Sequence, residues 1–233
     1  MKTAPAAVEV MASRFERIPT PTIFDVMDSL GLGETCCLSL DIRPLIPGRT
    51  LAGPAYTVRW VRDTRHTDDW NPPEIKRISN LFDQITSGDV VMVDGAGDRM
   101  CGHWGEMLSM MARNYGARGV VVDGGTRDSR GIKRIEDWSA WARYTGPVES
   151  MGRLRIHELD VPVSLAAARG GFIQVRPGDW IVADDDAVLV VPYERTEEIL
   201  SAAEELEDVE EQVRVALLAR EDVDEVFRRF RRL

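Results

Sequence analysis

The chain has 233 residues, of which 44% are hydrophobic and 29% are charged, and its formal net charge is −10. This size and composition are typical of a globular protein with one substantial core. The acidic balance argues against a nucleic-acid-binding surface, which needs a concentrated basic face. Three cysteines give no disulfide framework, no apolar run approaches transmembrane length, and the first residues do not resemble a secretory signal. We therefore expect a cytoplasmic protein with no membrane partner and no nucleic-acid partner.

The amino-terminal third predicts helices before and after one long strand. Thr20-Pro21-Thr22 is typical of a helix start, with threonine as the cap and proline in the first turn, and this helix would end at Gly31 or Gly33. Hydrophobic periodicity and turn residues give the remaining assignments. In chain order these are a short helix or arm over 1–20, a half-buried strand over 51–62, a loop over 64–74 and an amphipathic helix over 75–85.

The segment 88–132 contains the clearest structural pattern of the chain. Two short all-apolar runs, 90–93 and 119–122, each lead into Asp-Gly, and the residues between them include a stretch of helix-compatible composition. Such runs on both sides of a helix indicate two buried parallel strands in a βαβ unit. Ligands of open α/β sheets bind outside the carboxyl ends of the strands. We therefore expect the glycine-rich segments 95–97 and 124–128 to face each other at an active site.

The carboxyl-terminal half predicts short strands followed by a long helical segment. The expected elements are a helix around Ile132, Ile135 and Trp138, short strands and turns over 141–176, two strands around an acidic turn over 180–191, and helix from residue 194 to the end. The simplest organisation is an α/β domain over 1–193 with a helical extension over 194–233.

Two neighbouring sets of residues suggest chemistry at the predicted strand ends. Gly105-Glu106-Met107-Leu108 would open the helix of the βαβ unit, and its free amides and positive dipole end favour an anion such as a carboxylate. Arg127 offers a fork for a carboxylate, and Asp128 offers a hard oxygen ligand for Mg²⁺ or Mn²⁺. The alternative is that Arg127 and Asp128 form a structural pair or cap the next helix.

Other residues in this region are weaker candidates. Gly95-Ala96-Gly97 invites a dinucleotide or S-adenosylmethionine interpretation, but the dinucleotide fingerprint needs a glycine where Met100 stands. The glycines would equally serve a tight turn at a strand end. His103 fits either a catalytic or a structural role, and Cys101 has no positioned base and is expected to pack in the core.

The polar segment 64–74 contains His66, Asp68 and Asp69 in close succession. Imidazole and carboxylate groups at this spacing are compatible with a metal site, but no predicted strand or helix supports them. The alternative is a solvated lid.

Several segments together resemble the metal-dependent 4-hydroxy-4-methyl-2-oxoglutarate aldolases. That family also contains the regulator of ribonuclease E activity and related oxaloacetate decarboxylases. The segments that carry the resemblance are Thr22-Ile23-Phe24-Asp25-Val26-Met27, Leu51-Ala52-Gly53-Pro54-Ala55-Tyr56-Thr57-Val58, Gly88-Asp89-Val90-Val91-Met92-Val93-Asp94-Gly95, Gly105-Glu106, the run from Gly116 to Asp128, and Arg176-Pro177-Gly178-Asp179. Together they cover most of the chain.

The resemblance implies a fold, an assembly and residue roles. The fold is a layered α/β sandwich around a curved, barrel-like sheet, in a homotrimer or homohexamer with active sites at subunit interfaces. Arg127 would hold the carboxylate of a pyruvyl group, and Asp128 would bind Mg²⁺ or Mn²⁺. The backbone amides of residues 105–108 would contact the substrate, so the predicted site includes Met107 and Leu108. Glu106 would orient a metal-bound water.

The activity implied is that of a metal-dependent carbon–carbon lyase. Retro-aldol cleavage of a 4-hydroxy-2-oxo acid would release pyruvate, and oxaloacetate decarboxylation would be a side activity because both reactions pass through the same enolate. The alternative within the family is a non-catalytic regulator that binds a ribonuclease. The segments 64–74 and 138–153 depart from the family pattern, so the identity of the 2-oxo acid stays open. The acidic tail residues Glu221, Asp222, Asp224 and Glu225 do not align well enough to say which of them a neighbouring subunit would contribute.

Overall fold

The computed structural model describes residues 5–63 and 72–231. His66, Asp68 and Asp69 lie outside the described residues, and so does most of the predicted loop that contains them. Within the described part, no helix combines the length and the apolar composition that a membrane span requires.

The described residues form seven α-helices and twelve strands. The helices are α1 (Pro5–Phe15), α2 (Thr20–Ser29), α3 (Pro72–Asp83), α4 (Glu106–Asn114), α5 (Ser129–Ile132), α6 (Thr196–Leu218) and α7 (Val223–Phe230). The strands are β1 (Arg43–Pro44), β2 (Leu51–Arg62), β3 (Val90–Asp94), β4 (Cys101–Trp104), β5 (Gly119–Thr126), β6 (Ser139–Thr145), β7 (Val148–Glu149), β8 (Leu154–Leu159), β9 (Val163–Ala166), β10 (Phe172–Val175), β11 (Trp180–Ala183) and β12 (Val188–Val191).

Ten strands form one curled sheet around a parallel centre. Its main path runs β1-β6-β5-β3-β2-β11-β12, and β2, β3, β5 and β6 lie parallel to one another. The predicted βαβ unit is confirmed: β3 and β5 pair in parallel with Val91 opposite Val120, and α4 lies between them in the chain. The fold prediction of a mixed α/β protein with a curled sheet and a helical carboxyl terminus is confirmed.

The parallel strands are buried on both faces. On one face their side chains pack under α3 and α4 in a cluster that includes Phe82, Val91, Val93, Trp104, Val120 and Val122. On the other face they pack against a two-stranded sheet of β9 and β10, in a cluster that includes Met92, Val121, Trp141, Val163 and Leu165. Because each fully buried valine or leucine contributes roughly 1.5–3 kcal/mol, these two clusters fix the register of the sheet on which the site is built.

The helices at the two ends of the chain cover the β11–β12 edge. Ile23 and Met27 of α2 and Ile199 of α6 are fully buried in one cluster with Trp180 of β11. Further along α6, Val213 contacts α7 through Val226 in a small separate cluster. The division of the chain at residue 193 stays a prediction.

Five local predictions were wrong. Thr20 is not the cap of α2, because Pro19 holds the N-cap position and the Thr20 hydroxyl donates to Oδ1 of Asp184 at 2.7 Å. Strand β2 is not half-buried, because it has neighbours on both edges and most of residues 51–58 are buried. Helix α3 begins at Pro72, inside the predicted loop. The helix after Asp128 is only four residues long, and Trp138 precedes β6 as a buried side chain outside it. The carboxyl-terminal helix is interrupted between Leu218 and Val223.

Candidate active site

Strand β4 brings the two predicted halves of the site together. It pairs with the end of β5, with Gly102 opposite Gly125, and it leads directly into α4 through Gly105. The amide of Arg127 donates to the carbonyl of Trp104 at 2.9 Å, which ties the turn after β5 to the start of the helix. Arg127 and Asp128 therefore lie beside the helix amino terminus, as the sequence predicts.

Three glycines allow the charged side chains to approach this backbone. A β-carbon at position 105 would lie 2.8 Å from Oδ2 of Asp128, and one at position 102 would lie 2.9 Å from Cβ of Arg127. A β-carbon at position 131 would overlap the carboxylate of Glu106. Any side chain at these positions would displace the acidic and basic groups, so the close packing depends on glycine.

The backbone at Asp128 has an uncommon conformation. Its φ of 59° and ψ of 30° place it in the left-handed region, and its side chain accepts no hydrogen bond from the amides of α5. Its carbonyl accepts the first bonds of that helix instead, from Gly131 at 2.7 Å and Ile132 at 3.0 Å. The carboxylate is therefore not used as a helix cap, which removes one of the structural alternatives.

Arg127 lies between two carboxylates without a close bond to either. Its Nε is 3.4 Å from Oδ2 of Asp128, and its Nη1 is 3.5 Å from Oε1 of Glu149 on β7. The Arg127, Asp128 and Glu149 side chains are 35%, 43% and 49% exposed. These distances are long for charge-assisted hydrogen bonds, so both ion pairs are weak and the guanidinium keeps donors for a ligand.

The amino terminus of α4 is held rigidly from the inside. The indole Nε1 of Trp104 donates to Oγ of Ser109 at 3.0 Å, and that hydroxyl donates to the carbonyl of Gly105 at 3.0 Å. Gly105 is in an extended conformation and provides no side-chain cap. Helix geometry leaves the amides of Glu106, Met107 and Leu108 without intrahelical acceptors, at the positive end of the helix dipole.

A cavity of about 290 Å³ lies in front of these groups. Gly105, Met107, Leu108, Arg127 and Asp128 line it, whereas the carboxylate of Glu106 packs behind it against Gly131. The glycine-rich segment 95–97 does not line this cavity, because β4 intervenes between that loop and Arg127. The segment that lies next to 124–128 at the cavity is therefore β4 with the start of α4. The loop after β3, which the sequence predicts there, does not take part.

Comparison with known proteins places the chain in a family. A family model described as RraA-like, Aldolase/RraA, matches residues 20–190, which is most of the chain and includes every residue of the predicted site. The chain belongs to the RraA-like family. Two curated proteins and one solved structure illustrate the range of this RraA-like family.

A Halalkalibacterium halodurans protein, named provisionally as a 4-hydroxy-4-methyl-2-oxoglutarate aldolase, is 30% identical over 191 residues, covering 82% of this chain and 80% of that one. Protein DlpA of Legionella pneumophila is 28% identical over 84% of this chain, which spans only 29% of DlpA. A Streptomyces coelicolor structure, RraAS2, is described as an unusual member of the RNase ES inhibitor RraA protein family. It aligns with a TM-score of 0.74 at 27% identity, covering 92% of this chain and 98% of that one.

His103 has a structural role in this RraA-like chain. It is buried, its Nε2 lies 2.9 Å from the carbonyl of Gly95, and its Nδ1 accepts from the amide of Gly125 at 3.2 Å. Because a carbonyl only accepts and an amide only donates, the ring is the neutral tautomer with the proton on Nε2. Burial lowers the pKa of His103, which agrees with a neutral ring that joins the ends of β3, β4 and β5.

Cys101 is also buried, and burial raises the pKa of its thiol. A thiol held in the protonated form is a poor nucleophile. Cys101 therefore packs in the core, as the sequence indicates.

Two features of this RraA-like site were missed by sequence reasoning. Glu149 reaches Arg127 only because β7 pairs with β4, a contact between residues far apart in the chain. The apolar part of the cavity is assembled from β2, α3, β4, α4, β8 and the turn before β8, which are too far apart in the chain for a local sequence pattern to predict it. Its residues are Trp60, Ile78, Trp104, Met107, Leu108, Met151, Leu154 and Ile156.

The carboxylates at the cavity determine which metal ion the site can hold. Among the described residues, no three His, Cys, Asp or Glu side chains cluster as metal ligands. Mg²⁺ typically uses one or two protein carboxylates and keeps several waters, so it does not require such a cluster. The half-exposed carboxylate of Asp128, at the cavity wall and not used as a cap, fits that requirement.

Proposed function

We propose that this RraA-like protein is a carbon–carbon lyase that depends on a divalent cation and cleaves a 4-hydroxy-2-oxo acid to pyruvate. Decarboxylation of oxaloacetate is the expected side activity. The observation that supports this most strongly is that Arg127, Asp128 and the amino terminus of α4 line one cavity. The aldolase names of curated relatives at about 30% identity agree with this class of reaction.

In this proposal the α-keto-acid end of the substrate binds to the most polar part of the cavity. Arg127 binds the carboxylate through the guanidinium donors that its two long ion pairs leave available. The amides of Glu106, Met107 and Leu108 donate to oxygen atoms of the same end, assisted by the helix dipole. The positive potential of the guanidinium and of the helix amino terminus favours an anion and offsets the negative charge of Asp128 and Glu149 nearby.

Asp128 would hold Mg²⁺ or Mn²⁺. A cation bound there supplies a Lewis acid that withdraws electron density from the keto oxygen. Arg127 stabilises the negative charge that develops on the enolate. The electrons of the broken C3–C4 bond pass to C3 and form that enolate, the C4 hydroxyl loses its proton and becomes a carbonyl, and protonation of C3 then gives pyruvate.

Glu106 is proposed to assist proton transfer. Glu106 lies in the first turn of α4, and its carboxylate packs against the backbone of Gly131 in α5. Its position is therefore fixed by two helices and not by a flexible loop. From there it would orient a water for the C4 hydroxyl proton. Because its carboxylate lies outside the cavity lining, Glu106 would act through that water as a positioning residue, whereas Arg127 and Asp128 would contact the substrate and the cation.

We also propose that the protein works as a homotrimer or homohexamer with the sites at subunit interfaces. Met107, Met110 and Met111 are exposed on the outer face of α4 next to the cavity. Exposed methionines on one helix face are typical of a surface that packs against another chain.

The second candidate function is a non-catalytic regulator that binds a ribonuclease. The observation that favours it is the description of the Streptomyces coelicolor neighbour as a member of an RNase inhibitor family. Its partner would be the ribonuclease protein, and no direct nucleic-acid contact is proposed.

One experiment separates the two candidates. Pyruvate release is measured for a panel of 4-hydroxy-2-oxo acids and oxaloacetate, with Mg²⁺, with Mn²⁺ and with EDTA. A lyase gives pyruvate that depends on the cation and is lost in EDTA. No pyruvate from any member of the panel, together with retention of the protein on immobilised ribonuclease, would favour the regulator.

A further inference from the structure

The cavity has two chemically different ends. The polar end consists of Arg127, Asp128 and the turn at Gly105, and most of the remaining wall is apolar. That wall includes Trp60, Trp104, Leu154 and Ile156, which are 1% to 7% exposed and belong to the core cluster under α3 and α4. A wall built from core side chains is rigid, so its apolar character is a fixed property of the site.

Among the described residues, the other charged side chains of the cavity do not form a second anion site. Besides Arg127 and Asp128, the charged residues in this described lining are Asp63, Arg77, Glu149 and Arg155. Asp63 and Glu149 are acidic and would repel a second carboxylate. Arg77 is engaged with the protein, since its Nη1 donates to the carbonyl of Ile156 at 3.4 Å and the residue has a further partner within the protein.

Arg155 lines the cavity from β8 but does not belong to its apolar wall. It lies between Leu154 and Ile156 on β8, and both of these neighbours are buried in the core cluster. Side chains alternate between the two faces of a strand, so the Arg155 side chain points to the opposite face. Arg127 is then the cation best placed to bind a substrate carboxylate among the described residues.

We infer that the substrate carries an apolar group at C4 and has one carboxylate, not two. This inference rests on the proposed lyase function and identifies its substrate class. At roughly 30 Å³ for a water-sized volume, a cavity of about 290 Å³ holds about ten such volumes. A pyruvyl end and a C4 substituent of several carbons fit that space, with the substituent against Ile78 and the two tryptophans.

The test compares two substrates of equal length. They are 4-hydroxy-2-oxooctanoate, which ends in a methyl group, and 4-hydroxy-2-oxooctanedioate, which ends in a carboxylate, with 4-hydroxy-2-oxopentanoate as a short reference. All three release pyruvate if the lyase proposal holds. We expect kcat/KM for the octanoate to exceed that for the octanedioate by at least about tenfold. The terminal carboxylate of the octanedioate would lose its hydration at an apolar wall without gaining a charged partner.

The outcomes distinguish this inference from the proposal on which it rests. An octanedioate that reacts as fast as the octanoate, or faster, would overturn the apolar substrate class and leave the lyase intact. Absence of pyruvate from all three substrates with Mg²⁺ and Mn²⁺ would overturn the lyase, and the substrate class with it.

Two variants of Ile78 on α3 provide matched controls. Ile78→Ala removes apolar contact and should lower kcat/KM for the octanoate about tenfold, with little change for the short reference. Ile78→Lys adds a cation and should also raise activity on the octanedioate, so the preference narrows or reverses. Circular dichroism spectra and thermal unfolding curves like those of the wild type show that both variants fold. A preference that is the same in the wild type and both variants would contradict the placement of the substituent.

Discussion

One pair of charged residues lies on strands β5 and β6 and a second pair directly follows β5, and the two pairs differ in how completely their hydrogen-bonding capacity is used. On the face covered by β9, Asp123 accepts from Nε of Arg143 and, through Oδ2, from the amide of Ala166 at 2.7 Å, and the Asp123 and Arg143 side chains are 13% and 18% exposed. At the cavity, Arg127 and Asp128 are 3.4 Å apart and more than one third exposed. The Asp123–Arg143 pair links β5, β6 and β9. Arg127 and Asp128 keep hydrogen-bond donors and lone pairs for a ligand.

The largest effect should come from Asp128. Asp128→Ala should lower cation-dependent pyruvate release by about 10³-fold or more, because the ligand for the cation is lost. The free energy of unfolding should fall by only about 1 kcal/mol, because this carboxylate is half-exposed and caps no helix, and alanine is disfavoured only by the left-handed backbone.

Asp137→Ala is the matched control, because Asp137 also has a positive φ and is 90% exposed. The control should keep full activity. Equal turnover by Asp128→Ala and the wild type would remove the distinction between the two charged pairs.

For the pair formed by Asp123 and Arg143, we expect a loss of stability with little loss of activity. Asp123→Ala should lower the free energy of unfolding by about 2 kcal/mol, because it leaves the partly buried Arg143 guanidinium without its main partner and the Ala166 amide without its acceptor. The kcat of the folded fraction should be nearly unchanged. Chemical denaturation measures the first quantity, and active-site titration corrects the second.

The double variant Asp123→Ala with Arg143→Met tests the cause. It removes both charges, so it should recover most of the lost stability. A double variant that is as unstable as Asp123→Ala would show that the ion pair is not the source of the effect.

A smaller effect is expected for Arg127→Lys. Lysine keeps the positive charge and loses the planar fork, so KM for the 2-oxo acid should rise about 10- to 100-fold with a smaller fall in kcat. Steady-state kinetics over a range of substrate concentrations separates the two constants. Wild-type KM in this variant would argue against a bidentate carboxylate contact.

The smallest expected effect concerns the pH dependence of stability through His103. Burial lowers its pKa in the folded protein, so the unfolded chain binds the proton more readily. The contribution of a neutral His103 is fully present above its unfolded pKa of about 6.5 and is lost as the pH falls through its folded pKa. Thermal unfolding between pH 8 and pH 5 should show a steeper loss for the wild type than for His103→Gln, and parallel curves would contradict a neutral buried ring.

The sequence predicted those parts of the fold and the site that depend on local pattern. The apolar runs of β3 and β5 and the glycine before Glu106 specify the βαβ unit and the start of α4, because period and turn chemistry act over a few residues. The proximity of Arg127 and Asp128 to Gly105 followed from the rule that parallel strand ends meet at one edge.

The missed features depend on long-range pairing. Strand β4 is four residues long and contains glycine and histidine, so it shows neither alternation nor a run of β-branched residues. Its pairing with β7 is what brings Glu149 to Arg127, and its packing against β2 and β8 is what encloses the apolar wall. The buried faces of β2 were misjudged for the same reason, since the strand pattern does not report the neighbours on its two edges.

The most direct measurement is a crystal structure of the protein with pyruvate and Mg²⁺ bound. We expect the pyruvate carboxylate within hydrogen-bond distance of the Arg127 guanidinium, the cation on the Asp128 carboxylate, and the amides of 106–108 facing the ligand. Pyruvate and cation bound away from Arg127 and Asp128, in crystals of catalytically active protein, would contradict the assignment of this cavity as the active site.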